Sequence, residues 1–179
     1  MSGQRATDSE TGVVHDSHTA PYAPVFVGET RTELDNILKR YPTKQAGLLP
    51  ALWMVQNAHG WVSSDAVEEV AQVLDLTPAY IKGVLSFYTM YHQHPVGRNF
   101  IQVCTTSPCN CCGADDVVKA FLEHTGCKEL GLTTPDGKYT VVEVECLGAC
   151  GFATPVMINS DFLESVTPGS VPDILAKLP

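Results

Sequence analysis

Basic residues are few in this chain: 11 Lys and Arg stand against 20 Asp and Glu, for a formal charge of −9. They do not cluster, so there is no basic surface for a phosphate backbone, and nucleic acid is not an expected partner. Long apolar runs are missing too, and residues 1–10 lack the apolar core of a signal peptide, so no direct membrane insertion is expected and the expected location is cytoplasmic. There is no Gly-rich dinucleotide fingerprint and no P-loop, and no catalytic acid, base or nucleophile is assigned. An even complement of cysteines is also lacking. There are seven in 179 residues, which argues against a disulfide framework and for a reducing compartment. A chain of this length builds a core without such staples.

Chemistry-bearing residues are concentrated in 100–158, which holds every cysteine. Four form two spaced pairs, each behind a strand-like run: FIQV at 100–103 leads into Cys104 and Cys109, and YTVVEVE at 139–145 leads into Cys146 and Cys150. Thiolate is the ligand that iron–sulfur clusters and structural zinc share, and four sulfurs complete either. Gaps of four and three residues are wide for a zinc knuckle, whereas a 2Fe-2S rhomb takes one pair per iron. Spacing therefore favours iron–sulfur and leaves zinc, as in a structural adaptor module, open. Two rival uses share these thiols. Cys104, Cys109 and Cys112 read as C-x4-C-x2-C, the plant-type ferredoxin opening, with Cys146 as a distant fourth and Cys150 idle. Cys109 and Cys112 also have the spacing of a C-x2-C dithiol, which would take Cys109 away from a cluster.

Residues 1–28 read as a disordered or extended tail. In it His15 and His18 are solvated side chains, and Tyr22, Pro24, Val25 and Phe26 are a clip onto a partner. Helical spacing then predicts four short helices: one from Thr30 that stops at Pro42, one from about Gln45 to Gly60, one capped by Ser63-Ser64-Asp65, and one opened by Thr77-Pro78. Pro50 fits the second only near its first turn. Trp53, Trp61, His59 and Tyr91 are expected to fill the centre of this bundle. His92 and His94 are surface or interface residues before the linker 95–97. A strand at 100–104, a helix at 111–125 with Cys111 and Cys112 on its first turn, and a strand at 139–145 make a β-α-β unit. Its crossover makes the strands parallel and brings both strand ends to one edge. A hairpin of 155–159 and 162–166, turning at Ser160-Asp161, and a closing helix at 172–178 complete the chain.

The motifs VCTTSPC at 103–109 and VECLGAC at 144–150, with GWV at 60–62 and GVLSFY at 83–88, resemble the small 2Fe-2S subunit of the NADH-oxidising module of respiratory complex I and related NAD-linked diaphorases. The resemblance runs from about Thr32 to the C-terminus. It implies an α+β protein: a small helical bundle at 29–94 that docks on neighbours, then a thioredoxin-like 2Fe-2S ferredoxin domain at 95–179. It also implies that Cys104, Cys109, Cys146 and Cys150 hold one 2Fe-2S cluster. A flavoprotein subunit would carry FMN, NADH and a 4Fe-4S cluster, with a further iron–sulfur subunit in the same module. Attachment to the cytoplasmic face of the inner membrane would then come through partners. Cys111, Cys112 and Cys127 stand where that family does not usually have cysteine, and Pro155 falls one place later than usual. Gly148 and Gly151 would let backbone approach the cluster, and the charge of Glu143 and Glu145 would make its reduction harder.

Overall fold

In the computed structural model, residues 21–179 are described; His15 and His18 lie outside them. Four helices come first: α1 (Gly28–Leu38), α2 (Leu48–His59), α3 (Ser64–Leu74) and α4 (Pro78–Phe87). Their bounds follow local chemistry. Pro50 is the third residue of α2, within the turn whose amides lack intrahelical partners anyway. Its helix begins at Leu48 because a short 3-10 turn, Lys44–Gly47, precedes it, which moves the expected start from Gln45. Ser63 caps α3 by accepting from Ala66 N at 3.1 Å, and Thr77 caps α4 by accepting from Tyr80 N at 3.3 Å. Leu34, Leu52, Val55, Val67, Val70, Leu74 and Ile81 form the buried centre of this part.

Two expectations for the bundle change. Trp53 does not fill its centre: it is 40 % exposed and lies against the buried Tyr91, ring to ring at 5.5 Å. Trp61 and His59 are half-buried. Residues 22–26, which by sequence resemble a tail and a clip for a partner, instead pack on this chain. Val25 and Phe26 are buried in the helical core, and one carboxylate holds the segment. Glu69 of α3 accepts from Val25 N at 3.0 Å, from Phe26 N at 2.8 Å and from the Tyr22 hydroxyl. Burial, then the adjoining Glu69, pushes the Tyr22 phenol up. Its contribution is therefore complete below the ordinary phenol range and is lost only as pH rises through the higher folded value.

The sheet has the order β2-β1-β3-β4, built from β1 (Asn99–Cys104), β2 (Tyr139–Val144), β3 (Val156–Ile158) and β4 (Asp161–Leu163). β1 and β2 are parallel, while β3 pairs antiparallel with β1 and β4 antiparallel with β3. The expected helix at 111–125 is two pieces, α5 (Ser107–Cys111) and α6 (Ala114–Thr125), parted by Gly113 at φ 90°. Ile101, Val103, Val141, Val156 and Ile158 face Val117, Val118 and Phe121 of α6 in a second core. The alternate residues Phe100, Gln102, Val142, Val144 and Met157 are half-buried, because the helix packing on the sheet is on the other face. The hairpin turns one residue earlier than expected, at Asn159-Ser160. Asn159 has φ 54°, and its amide accepts from Phe100 N at 2.9 Å and donates to Arg98 O at 3.0 Å. The closing helix is α7 (Val171–Leu175).

Gln56 ties the segment after α4 back to α2, donating to Met90 O at 3.0 Å and accepting from His92 N at 2.7 Å. His92, expected at the surface or an interface, is half-buried with its ring 4.5 Å from Phe100. Replacing Glu69 with Ala leaves two backbone N–H groups and the Tyr22 hydroxyl without their shared acceptor. Urea unfolding should show a loss of about 2–3 kcal/mol.

Candidate metal centre

The parallel pairing places the cysteine pairs. Cys104 is the last residue of β1 and stands opposite Val144, the last of β2, so both chains leave the sheet at the same edge. From there Cys109 follows on α5, Cys146 lies just past β2, and Cys150 opens a 3-10 turn, Cys150–Phe152. The backbone of Cys104 is fixed on its other side too, its N–H donating to Pro155 O at 3.2 Å. Cys104 and Cys109 are each 1 % exposed and form a small buried cluster with Ala114, with Leu147 and Ala153 packed against it. Cys146 and Cys150 are exposed.

Electrostatics shows which thiols face one another. Burial pushes the Cys109 thiol up to about 11, helped by a hydrogen bond with Cys104 and by the charges of Cys104, Cys150 and Cys146. Cys150 is raised by its hydrogen bond and charge interaction with Cys146, then by burial and by Cys104. For Cys104 burial is the largest influence and raises its pKa. Hydrogen bonds from Thr106, the Leu147 backbone and Cys109 outweigh it, and the thiol falls below its ordinary value. The four sulfurs are thus two pairs within electrostatic reach of each other. Among the described residues no three His, Cys, Asp or Glu side chains converge on a point where a single ion would touch all of them.

Two polar groups serve the sulfurs directly. The Thr106 hydroxyl is 3.3 Å from Cys104 Sγ, and Gly148 N donates to Cys146 Sγ at 3.3 Å. Gly148 holds φ 83°, a left-handed dihedral that glycine adopts without strain. Gly151 has no such dihedral and no crowding neighbour, so the sequence argument for it has no counterpart here. Thr106 is not legible in the sequence, since a threonine in a loop carries no pattern. Cys111 ends α5 and Cys112 follows it, both exposed, rather than opening the next helix. Cys127 is buried in the second core with Sγ 3.8 Å from Tyr139 O.

The donor set fits a 2Fe-2S rhomb. It is all sulfur, it comes in two pairs, and it has N–H and O–H donors aimed at the sulfurs. A thioredoxin-like α/β unit with thiols at the ends of its parallel strands is the class that this fold and site define. The profile of the "Thioredoxin-like [2Fe-2S] ferredoxin" family matches residues 34–179, and the chain belongs to that family. It is 40% identical over 156 residues to a Dictyostelium discoideum protein named NADH dehydrogenase [ubiquinone] flavoprotein 2, mitochondrial, covering 86% of this chain and 63% of that relative's length. It is 42% identical over 147 residues to a subunit of the NADH-quinone oxidoreductase of Rickettsia bellii, covering 80% of this chain and 87% of the relative. An NAD+-reducing [NiFe]-hydrogenase in the air-oxidized state superposes with TM-score 0.63 at 22% identity, over 73% of this chain and 22% of that one. That likeness shows the fold.

Exposure sorts the cysteines outside the two pairs. Iodoacetamide applied to the native protein should label Cys111 and Cys112 and leave Cys127 unlabelled until denaturant is added, read by peptide mass mapping. Labelling of native Cys127 would contradict its place in the core.

Proposed function

We propose that this chain is the electron-transfer subunit of an NADH:quinone oxidoreductase, holding one 2Fe-2S cluster on Cys104, Cys109, Cys146 and Cys150. The observation that carries the reading is the meeting of two cysteine pairs at one sheet edge, with Cys109 under the influence of Cys104, Cys150 and Cys146. The names of the relatives support the NADH-oxidising assembly. Its partners are a flavoprotein subunit with FMN, NADH and a 4Fe-4S cluster, and a further iron–sulfur subunit. Residues 95–179 carry the cluster and residues 29–94 dock on neighbours. No helix of the described residues is long and apolar enough to cross a membrane, in keeping with peripheral attachment through partners. This chain has no complete active site of its own. The alternative, the equivalent diaphorase subunit of an NAD-linked hydrogenase or formate dehydrogenase, has likeness of fold alone behind its hydrogenase form.

A bound 2Fe-2S cluster supplies reversible one-electron storage. The chain's residues set the conditions. Leu147, Ala153 and Ala114 keep water from the buried pair, which strengthens every nearby electrostatic interaction. The Thr106 hydroxyl and the Gly148 N–H donate to thiolate sulfur, stabilising negative charge there and so easing reduction. Glu143 and Glu145, both exposed, oppose it.

Visible and low-temperature EPR spectra of anaerobically purified protein test the assignment. Dithionite should bleach a visible band and produce a spin-half signal that Cys150→Ser abolishes and Cys112→Ser retains. A colourless protein containing zinc would withdraw the electron-transfer reading in favour of a structural adaptor. In the same preparation Glu145→Gln should raise the reduction potential, and an unchanged potential would remove the role given to that carboxylate.

A further inference from the structure

The face of the sheet that α6 leaves uncovered is not a plain polar surface. Phe100, Val142 and Val144 line a groove of about 470 Å³ on it, together with Thr105, Glu143 and Glu145. Thr105 adjoins Cys104 and Glu145 adjoins Cys146, so one end of the groove is the edge of the candidate metal centre. β2 is the edge strand of the sheet; Glu143 lies on it at the groove's rim, leaving the strand on the α6 side because it alternates with Val142 and Val144, and Glu145 follows the strand. Neither has an ion-pair partner among the described residues, where the salt bridges are Arg31–Asp35 and Lys119–Asp116. An apolar floor with an unpaired acidic rim, beside a redox site, is a surface that a protein of opposite charge completes.

We infer that this groove is the docking surface for an electron-exchange partner protein that seats an apolar side chain on Phe100, Val142 and Val144 and sets Lys or Arg against Glu143 and Glu145. The inference rests on the cluster assignment above and adds the surface and the charge of its partner. A second copy of this chain is the wrong occupant. Each copy carries a formal charge of −9, and bringing two acidic rims together costs free energy that the groove's few apolar side chains do not offset.

The test uses the full cluster-loaded chain and cytochrome c, a haem protein whose exposed haem edge is ringed by lysines, as the probe. Calorimetric titration at low and moderate salt measures binding, and a carbodiimide couples touching carboxylate–lysine pairs for mapping by mass spectrometry. Binding should weaken with salt and fall about tenfold or more in Glu143→Lys/Glu145→Lys, as expected for loss of steering rim charges. Cross-links should map to Glu143 or Glu145. Glu123→Lys reverses one charge at the C-terminal end of α6, away from the groove, and should have a much smaller effect than Glu145→Lys alone. Equal weakening by Glu123→Lys and Glu145→Lys, each a single charge reversal, or cross-links confined to α6, would show that only net charge matters and overturn the inference. The visible and EPR signals of each sample separate the two claims. With the signals present, the binding result decides the docking surface. Their absence from the unmutated protein overturns the cluster assignment and this inference with it.

Discussion

Parallel pairing of β1 with β2 is the constraint on which the centre depends. Strands that run the same way end at the same edge, and here the register sets Cys104 opposite Val144, so the chain leaving β2 reaches Cys146 almost at once. Were these six-residue strands antiparallel, the same cysteines would lie at opposite ends of the sheet, roughly 20 Å apart at the usual rise per residue. Parallel pairing needs a crossover, and α6 supplies it while covering the face that holds Ile101, Val103 and Val141. Gly97 permits the approach from below. A Cβ there would lie 2.5 Å from the carbonyl carbon of Tyr139, so any larger residue would push β1 and β2 apart where their pairing begins.

The two pairs differ in burial because their strands differ in position. β1 is interior, held by β2 on one side and β3 on the other, and its terminal Cys104 is buried with Cys109 folded back over it. β2 is an edge strand, and Cys146 and Cys150 beyond it are exposed. One half of the centre is therefore shielded from solvent and the other faces it. Such asymmetry makes the two halves respond differently to hydrogen bonding and charge, which are the protein's main means of tuning a cluster.

Much of this is legible in the sequence where periodicity and capping agree. Thr77-Pro78 and Ser63 open their helices as expected, and the strand-helix-strand order around Cys104 and Cys146 already requires the pairs to meet. The failures have physical causes. Residues 22–26 read as tail because five residues are too short for a period, while their order comes from distant partners, the Glu69 carboxylate and the helical core that buries Val25 and Phe26. Trp53 suits the core on size alone, but its position on α2 turns it outward. The continuous helix expected at 111–125 breaks at Gly113, whose left-handed dihedral interrupts an apolar stripe without altering its pattern. Thr106 acts through one hydrogen bond within a loop and Gln56 through two across a long sequence separation, and neither leaves a pattern in the chain.

Electrostatics joins the centre to the open sheet face. Negative charge on Glu143 and Glu145 disfavours an added electron on a neighbouring cluster, and the same charge attracts a cationic partner to the groove. On the proposed reading the two effects are linked. A partner whose lysines neutralise the rim removes part of the penalty on reduction, so by thermodynamic reciprocity the reduced cluster binds that partner more tightly than the oxidised one. Partner contact would then hold the electron more firmly, while the free chain would give it up more readily. The carboxylates would thus set both the affinity for the partner and the direction in which docking shifts the potential, which accounts for two acids on and just past an edge strand, without an ion-pair partner among the described residues, beside the candidate metal centre.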